Sequence, residues 1–182
     1  MAFLRGLVRI IDAINEHVGR ATAWLMVLMV LIAFVVVLLR YVYGLGWVAL
    51  QESFVWLHGT VFMMGAAYTL LHDGHVRVDV FYRPASARTK AMINLLGTLF
   101  LMLPMILVVL YYSQGFVIRS WERFEASSEA GGLPGLFLLK TVIPIFCVLM
   151  LLQGISLIGR SLLVLKGDMR YASSQDESHE VA

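Results

Sequence analysis

Four long stretches without a charged residue constrain this chain more than any other feature of its sequence. They cover residues 21–39, 53–72, 91–118 and 141–159, so the shortest contain 19 residues and the longest contains 28. A helix rises about 1.5 Å per residue, and the hydrocarbon core of a membrane is about 30 Å thick. Each stretch can therefore cross a membrane as a helix. Because 60% of the residues are hydrophobic, the chain does not have the composition of a soluble enzyme.

These stretches and their flanks predict an all-α integral membrane protein with one four-helix domain over residues 1–166. The predicted transmembrane spans are approximately residues 21–39, 51–71, 91–112 and 136–157. Residues 3–18 place apolar and charged side chains on opposite helical faces, which predicts an N-terminal amphipathic helix. Residues 113–130 have a similar pattern and predict a short surface helix. Residues 167–182 contain too little apolar surface to fold alone and are predicted to be a disordered tail.

The positions of lysine and arginine predict the orientation of the spans. Ten basic residues lie in the N-terminal segment, the loop after the second span and the C-terminal segment, whereas four lie at the opposite ends of the spans. Cytoplasmic loops of membrane proteins carry an excess of lysine and arginine. The chain is therefore predicted to be a multi-pass protein with both termini in the cytoplasm. The surface helix at 113–130 and the end of the first span are then periplasmic.

Few side chains inside the predicted spans could act in catalysis or bind a metal or cofactor. His58 is the only histidine within a span, and Cys147 is the only cysteine in the chain. An intrachain disulfide and a cysteine metal cluster are thereby excluded, and a haem between two histidines would need a ligand from elsewhere. The His-x-x-His spacing of His72 and His75 in a loop matches no metal motif. We predict no catalytic residue, no metal and no cofactor, and hence no enzyme.

The charge of the chain bears on its partners. A net charge of +2, with basic residues that are not clustered, gives no basis for nucleic-acid binding. Membrane lipid is a predicted partner because of the four spans. Two function classes remain open from the residues: a noncatalytic subunit of a transporter, and a membrane anchor of a redox enzyme, which would include a haem-binding anchor.

Four short segments carry a resemblance to a known family. They are R-Y-V-Y-G at 40–44, Q-E-S at 51–53, G-A-A-Y-T-L at 65–70 and H-V-R-V-D-V-F-Y at 75–82. Together they resemble the small membrane subunit, the DctQ-like or Q subunit, of tripartite ATP-independent periplasmic (TRAP) transporters. The segment S-W-E-R-F-E-A-S-S-E-A-G-G-L-P at 120–134 resembles the branch of that family associated with keto acids, hydroxy acids and related organic anions.

The resemblance implies a function and a set of partners. The chain would be the noncatalytic small permease subunit of a sodium-coupled, binding-protein-dependent transporter for organic acids in the bacterial inner membrane. Its partners would be a large membrane subunit, which holds the substrate and sodium sites, and a periplasmic substrate-binding protein. The chain would scaffold the large subunit and help dock the binding protein.

The resemblance also assigns interface residues. These are Arg40, Tyr41, Gln51, Glu52, Gly65, His75, Arg77 and Asp79. Arg40, Tyr41 and Glu52 would lie at the periplasmic edge and either shape the short loop there or contact a partner. Anchoring at the membrane interface, with a local ion pair between Arg40 and Glu52, is an equal alternative. His75, Arg77 and Asp79 would share one face in an extended segment but not in a helix. Gly65 and its small neighbours would let another helix approach closely.

Overall fold

A computed structural model of the chain describes residues 1–76 and 82–172. Its α-helices, numbered in chain order, are α1 Ala2–Val42, α2 Val48–Leu71, α3 Ala87–Gly97, α4 Leu103–Glu122 and α5 Leu136–Leu165. A π-helical turn, Thr98–Met102, joins α3 to α4, and a 3-10 turn, Met169–Tyr171, follows α5. Within these described residues, four stretches are long and apolar enough to cross a membrane, namely α1, α2, the run Ala87–Glu122 and α5. The predicted all-α membrane fold is confirmed.

α1 is one unbroken helix of 41 residues, which makes it about 60 Å long. The amphipathic segment at 3–18 is therefore continuous with the first span and is not a separate helix. Helix growth is cooperative, and no proline interrupts the sequence between the two parts. The apolar face of this segment packs against α5, where Val8 and Ile11 are buried. A helix neighbour covers these two residues within the chain.

The surface helix predicted at 113–130 is not observed as a separate element. Residues 113–122 continue α4, and the chain then turns until α5 begins at Leu136. Gly131 and Gly135 have φ angles of +78° and +116°, which only glycine adopts readily, and Gly135 immediately precedes α5. Residues 123–135 are called the outer loop below. The predicted tail at 167–182 lies mostly outside the described residues.

Pro104 explains the irregular turn between α3 and α4. Proline has no N–H to donate, and its ring clashes with the carbonyl four residues earlier, which belongs to Phe100. The π-helical turn Thr98–Met102 contains this residue and ends immediately before α4. A wider turn at that point relieves the clash without stopping the helix, so the third span remains continuous from Ala87 to Glu122.

α5 is the central helix of the bundle. It packs against α1, α2, α3 and α4, while α1 and α2 also pack against each other. The buried apolar cluster comes from three helices and consists of Ala67, Ile106, Cys147, Leu149 and Met150. Many large apolar side chains of the bundle point outward, as Trp24, Phe34 and Leu101 do at 74%, 63% and 74% exposure. Such surfaces suit lipid or another membrane protein.

Candidate functional site at the two ends of the bundle

Glu52 lies near the start of α2 and holds the outer loop against that helix. One carboxylate oxygen accepts a hydrogen bond from the Leu133 backbone N–H at 2.7 Å, and the other accepts one from the Ser127 hydroxyl. The positive end of the α2 dipole favours a carboxylate at this position. The alternative of a local Arg40–Glu52 ion pair is not observed among the described residues. Glu52 is instead a tether for a segment that lies 75 to 81 residues further along the chain.

The outer loop has an internal frame that presents these donors to Glu52. The Ser127 backbone N–H donates to the Leu133 carbonyl at 3.1 Å, and the Glu129 N–H donates to the Ser127 hydroxyl at 3.1 Å. Gly132 fills the centre of this frame. A Cβ at Gly132 would lie 2.6 Å from the Ser127 Oγ and 2.7 Å from the Glu52 Oε2. The close approach of loop and carboxylate therefore requires glycine at this position.

A second set of contacts attaches α4 and the outer loop to the start of α5. Lys140 forms an ion pair with Glu125 and lies 3.9 Å from the centre of the Phe116 ring. The Trp121 indole N–H donates to the Thr141 hydroxyl at 2.8 Å. The hydrogen bond from Lys140 holds the pKa of the Glu125 carboxyl below its ordinary value. This pairing is present at neutral pH and is lost as the pH falls through that lowered pKa.

The remaining outer-edge residues surround the connection between α1 and α2. Arg40 lies in the last turn of α1, where a cation suits the negative end of the helix dipole. Tyr41 is 82% exposed, and Tyr43 and Trp47 are each 64% exposed. Gln51 is half-buried, and its backbone N–H donates to the Trp47 carbonyl at 3.2 Å. Exposed aromatic rings at a helix end suit the membrane surface.

Four of the predicted interface residues lie elsewhere. Gly65 lies on α2, and no atom of the described residues comes within 4 Å of the position that a Cβ would take there. His75 is exposed in the turn that follows α2. Arg77 and Asp79 lie outside the described residues, so the shared face of His75, Arg77 and Asp79 stays a prediction. Among residues 1–76 and 82–172, no group of three or more His, Cys, Asp or Glu side chains is arranged to hold a metal.

A polar cluster at the opposite end of the bundle was not predicted from the sequence. We call it the inner clamp, and it consists of Asp12 and Asn15 on α1 with Gln153, Ser156 and Arg160 on α5. The Asp12 carboxylate accepts hydrogen bonds from the Ser156 hydroxyl at 2.6 Å and from the Arg160 guanidinium at 2.6 and 3.2 Å. The Asn15 amide donates to the Gln153 side-chain oxygen at 2.7 Å. Both amide side chains are almost fully buried.

The spacing along α5 was the available signal for this clamp. Residues 153, 156 and 160 recur at intervals of three and four, which places them on one helix face. A polar face on a part of the helix that is otherwise largely apolar indicates a partner helix that carries polar groups. Next to the clamp, Arg5 pairs with Asp168 at 2.7 Å. Hydrogen bonds from Arg170, with the charges of Arg170 and Arg5, hold the Asp168 pKa below its ordinary value.

Comparison with known protein families identifies the family to which this chain belongs. The family model described as "Tripartite ATP-independent periplasmic transporters, DctQ component" matches residues 29–163. This chain belongs to that family. Comparison with curated proteins and with solved structures gave no significant match. A DctQ component is part of a transporter that also includes a large membrane subunit and a binding protein.

The DctQ match covers most of the geometry described above. Glu52, Gly65, His75 and the whole outer loop lie within the matched residues, as does the α5 side of the inner clamp. Asp12 and Asn15 precede the matched range, so the α1 side of the clamp is a feature of this chain outside it. Membership of a transporter family favours the transporter subunit over the redox anchor among the two function classes.

Proposed function

We propose that this chain is the noncatalytic small permease subunit of a sodium-coupled, binding-protein-dependent TRAP transporter for organic acids. It scaffolds the large transport subunit and helps dock the periplasmic binding protein. The observation that carries this proposal is the DctQ match, and the inner clamp supports it. The buried polar side chains there join α1 to α5 through hydrogen bonds, as in a structural contact.

The outer loop supports the docking role and the substrate class. The segment at 120–134, which resembles that of organic-anion systems, forms the end of α4 and nearly all of the outer loop. Glu52 and Lys140 hold this loop from two sides, while Phe124 at its start remains 71% exposed. A surface that is fixed and exposed suits recognition of a soluble partner, because little ordering entropy is lost on binding.

Uptake by purified components tests the proposed function. Proteoliposomes with this chain, the large subunit and the binding protein should take up labelled hydroxy or keto acids when sodium is supplied outside. Omission of this chain should reduce uptake to background, because the large subunit then lacks its scaffold. This chain with the binding protein alone should also give only background uptake. Uptake without the large subunit, or full uptake without this chain, would contradict the proposal.

We also propose that the chain lies in the bacterial inner membrane with both termini in the cytoplasm, so that the outer loop faces the periplasm. The ten-to-four distribution of basic residues supports this orientation. The exposed Arg123 makes the outer loop a substrate for trypsin added to spheroplasts. The tether at Glu52 should keep this cleavage slow in the wild-type chain.

Gly132→Ala should increase the rate of that cleavage by about tenfold, because the added Cβ overlaps the Ser127 and Glu52 oxygens and separates the loop from α2. Gly46→Ala is the matched control, since it also lies at the outer edge and a Cβ there meets nothing within 4 Å. Equal rates for the two variants would refute the tether. Cleavage in inverted vesicles only would refute the orientation.

A further inference from the structure

His58 is a polar side chain exposed at the middle of a membrane-spanning helix. α2 runs from Val48 to Leu71, so His58 lies about 15 Å from its first residue and about 20 Å from its last. Its side chain is exposed on the outside of the bundle. Within residues 1–76 and 82–172 it makes no hydrogen bond and no ion pair. Lipid around the isolated chain would therefore surround an unbonded imidazole.

Lipid is a poor cover for such a group. A polar group without a hydrogen-bond partner costs several kcal/mol in hydrocarbon, and ionisable residues within spans usually face protein or a water-filled cavity. Long lysine and arginine side chains can reach the membrane surface from within, but an imidazole is too short to span the six residues of helix, about 9 Å, between His58 and Glu52. A hydrogen bond between His58 and another protein group would avoid this cost.

The surroundings of His58 have the shape of a helix-packing surface. Val55, His58, Phe62 and Gly65 follow one another at intervals of three and four, so they lie on one face of α2. Val55 is 60% exposed and Phe62 is 75% exposed. A Cβ at Gly65 would meet nothing within 4 Å, which leaves room for close approach by a helix backbone. The opposite face of α2, with the buried Ala67, already packs within the bundle.

We propose that this face of α2 is covered by a transmembrane helix of the large membrane subunit that bonds a polar group to the His58 imidazole. The proposal rests on the proposed function, which supplies the large subunit. Imidazole carries one donor and one acceptor nitrogen when neutral, so a hydroxyl, an amide or a freed backbone carbonyl opposite His58 satisfies it. Gly65 then provides the close contact and Phe62 the apolar one.

Two variants at His58 test the hydrogen bond. His58→Leu should lower copurification with the large subunit in mild detergent by about 3- to 15-fold, the range for one interhelical hydrogen bond, whereas His58→Gln should retain most of it. The isolated chain is the control for folding. Because His58 has no partner within the described chain, His58→Leu should leave its unfolding midpoint unchanged. Wild-type yield with His58→Leu, or a matching loss with His58→Gln, would overturn the hydrogen bond.

Crosslinking identifies what covers the face. Phe62→Cys in a Cys147→Ala background, labelled with a photoreactive benzophenone maleimide, should crosslink to the large subunit in membranes that contain the whole system. A crosslink only to a second copy of this chain, or only to lipid, would overturn the docking face. If the wild-type chain did not copurify with the large subunit at all, the proposed function would fail. Copurification with a failed crosslink would overturn this inference alone.

Discussion

Asp12→Ala is expected to lower the free energy of unfolding of this chain by about 2–3 kcal/mol. The substitution removes the acceptor for the Ser156 hydroxyl and for both Arg160 nitrogens, which then have no partner between α1 and α5. The side chains of Asp12 and Arg160 are only 17% and 32% exposed, so water replaces the lost bonds poorly. Unfolding by added SDS in mixed micelles, followed by circular dichroism, measures the change.

Glu16→Ala provides the comparison for that experiment. Glu16 lies one turn further along α1, and its partners Arg20 and His72 are 75% and 48% exposed. Exposed ion pairs contribute about 0–1 kcal/mol, so Glu16→Ala should have a much smaller effect. A double substitution of Asp12 and Arg160 by alanine should cost less than the sum of the two single changes. Similar losses for Asp12→Ala and Glu16→Ala would show that the inner clamp does not stabilise the bundle.

Gly19→Ala and Gly6→Ala should change stability in opposite directions although both lie in α1. A Cβ at Gly19 would lie 2.2 Å from ring carbons of Tyr68 and 2.5 Å from its Cβ, so α1 and α2 must separate there. Overpacking of this kind costs about 1–3 kcal/mol. A Cβ at Gly6 meets nothing within 4 Å, and alanine is better than glycine in a helix by about 0.5–1 kcal/mol.

The same SDS titration gives both values. Gly19→Ala should unfold at a lower SDS fraction than the wild-type chain, and Gly6→Ala at a higher one. A stabilising effect of Gly19→Ala would mean that helix propensity outweighs the contact with Tyr68. It would also mean that α1 and α2 do not cross closely at this position.

The sequence predicted the part of the fold that the lipid environment imposes. Hydrocarbon excludes charge, so the gaps between Arg20 and Arg40 and between Lys140 and Arg160 marked helices that the structure contains. The sequence did not predict where those helices end. α1 and the third span continue beyond the hydrocarbon because nothing between their amphipathic and apolar parts stops a helix, and amphipathicity alone does not indicate a break.

The candidate site was predicted less completely, because its contacts join distant parts of the chain. Glu52 was selected by resemblance, but its partners Ser127 and Leu133 lie far along the sequence and depend on how the outer loop folds. Asp12 looked like part of a polar stripe that faces water. Its true environment follows from the packing of α1 on α5, which the sequence pattern of α1 alone does not reveal.

Helix α5 is attached to its neighbours at both of its ends. Near its inner end, Arg160 is bonded to α1, while the loop that leads into its outer end is bonded to α2 through Glu52. A helix that is held at one end can pivot about that end. A helix that is held at both ends, as α5 is, cannot pivot without breaking one of the two attachments. A force on any one of α1, α2 and α5 would therefore be shared by all three, and under the proposed scaffolding role they would present one rigid surface to the large subunit.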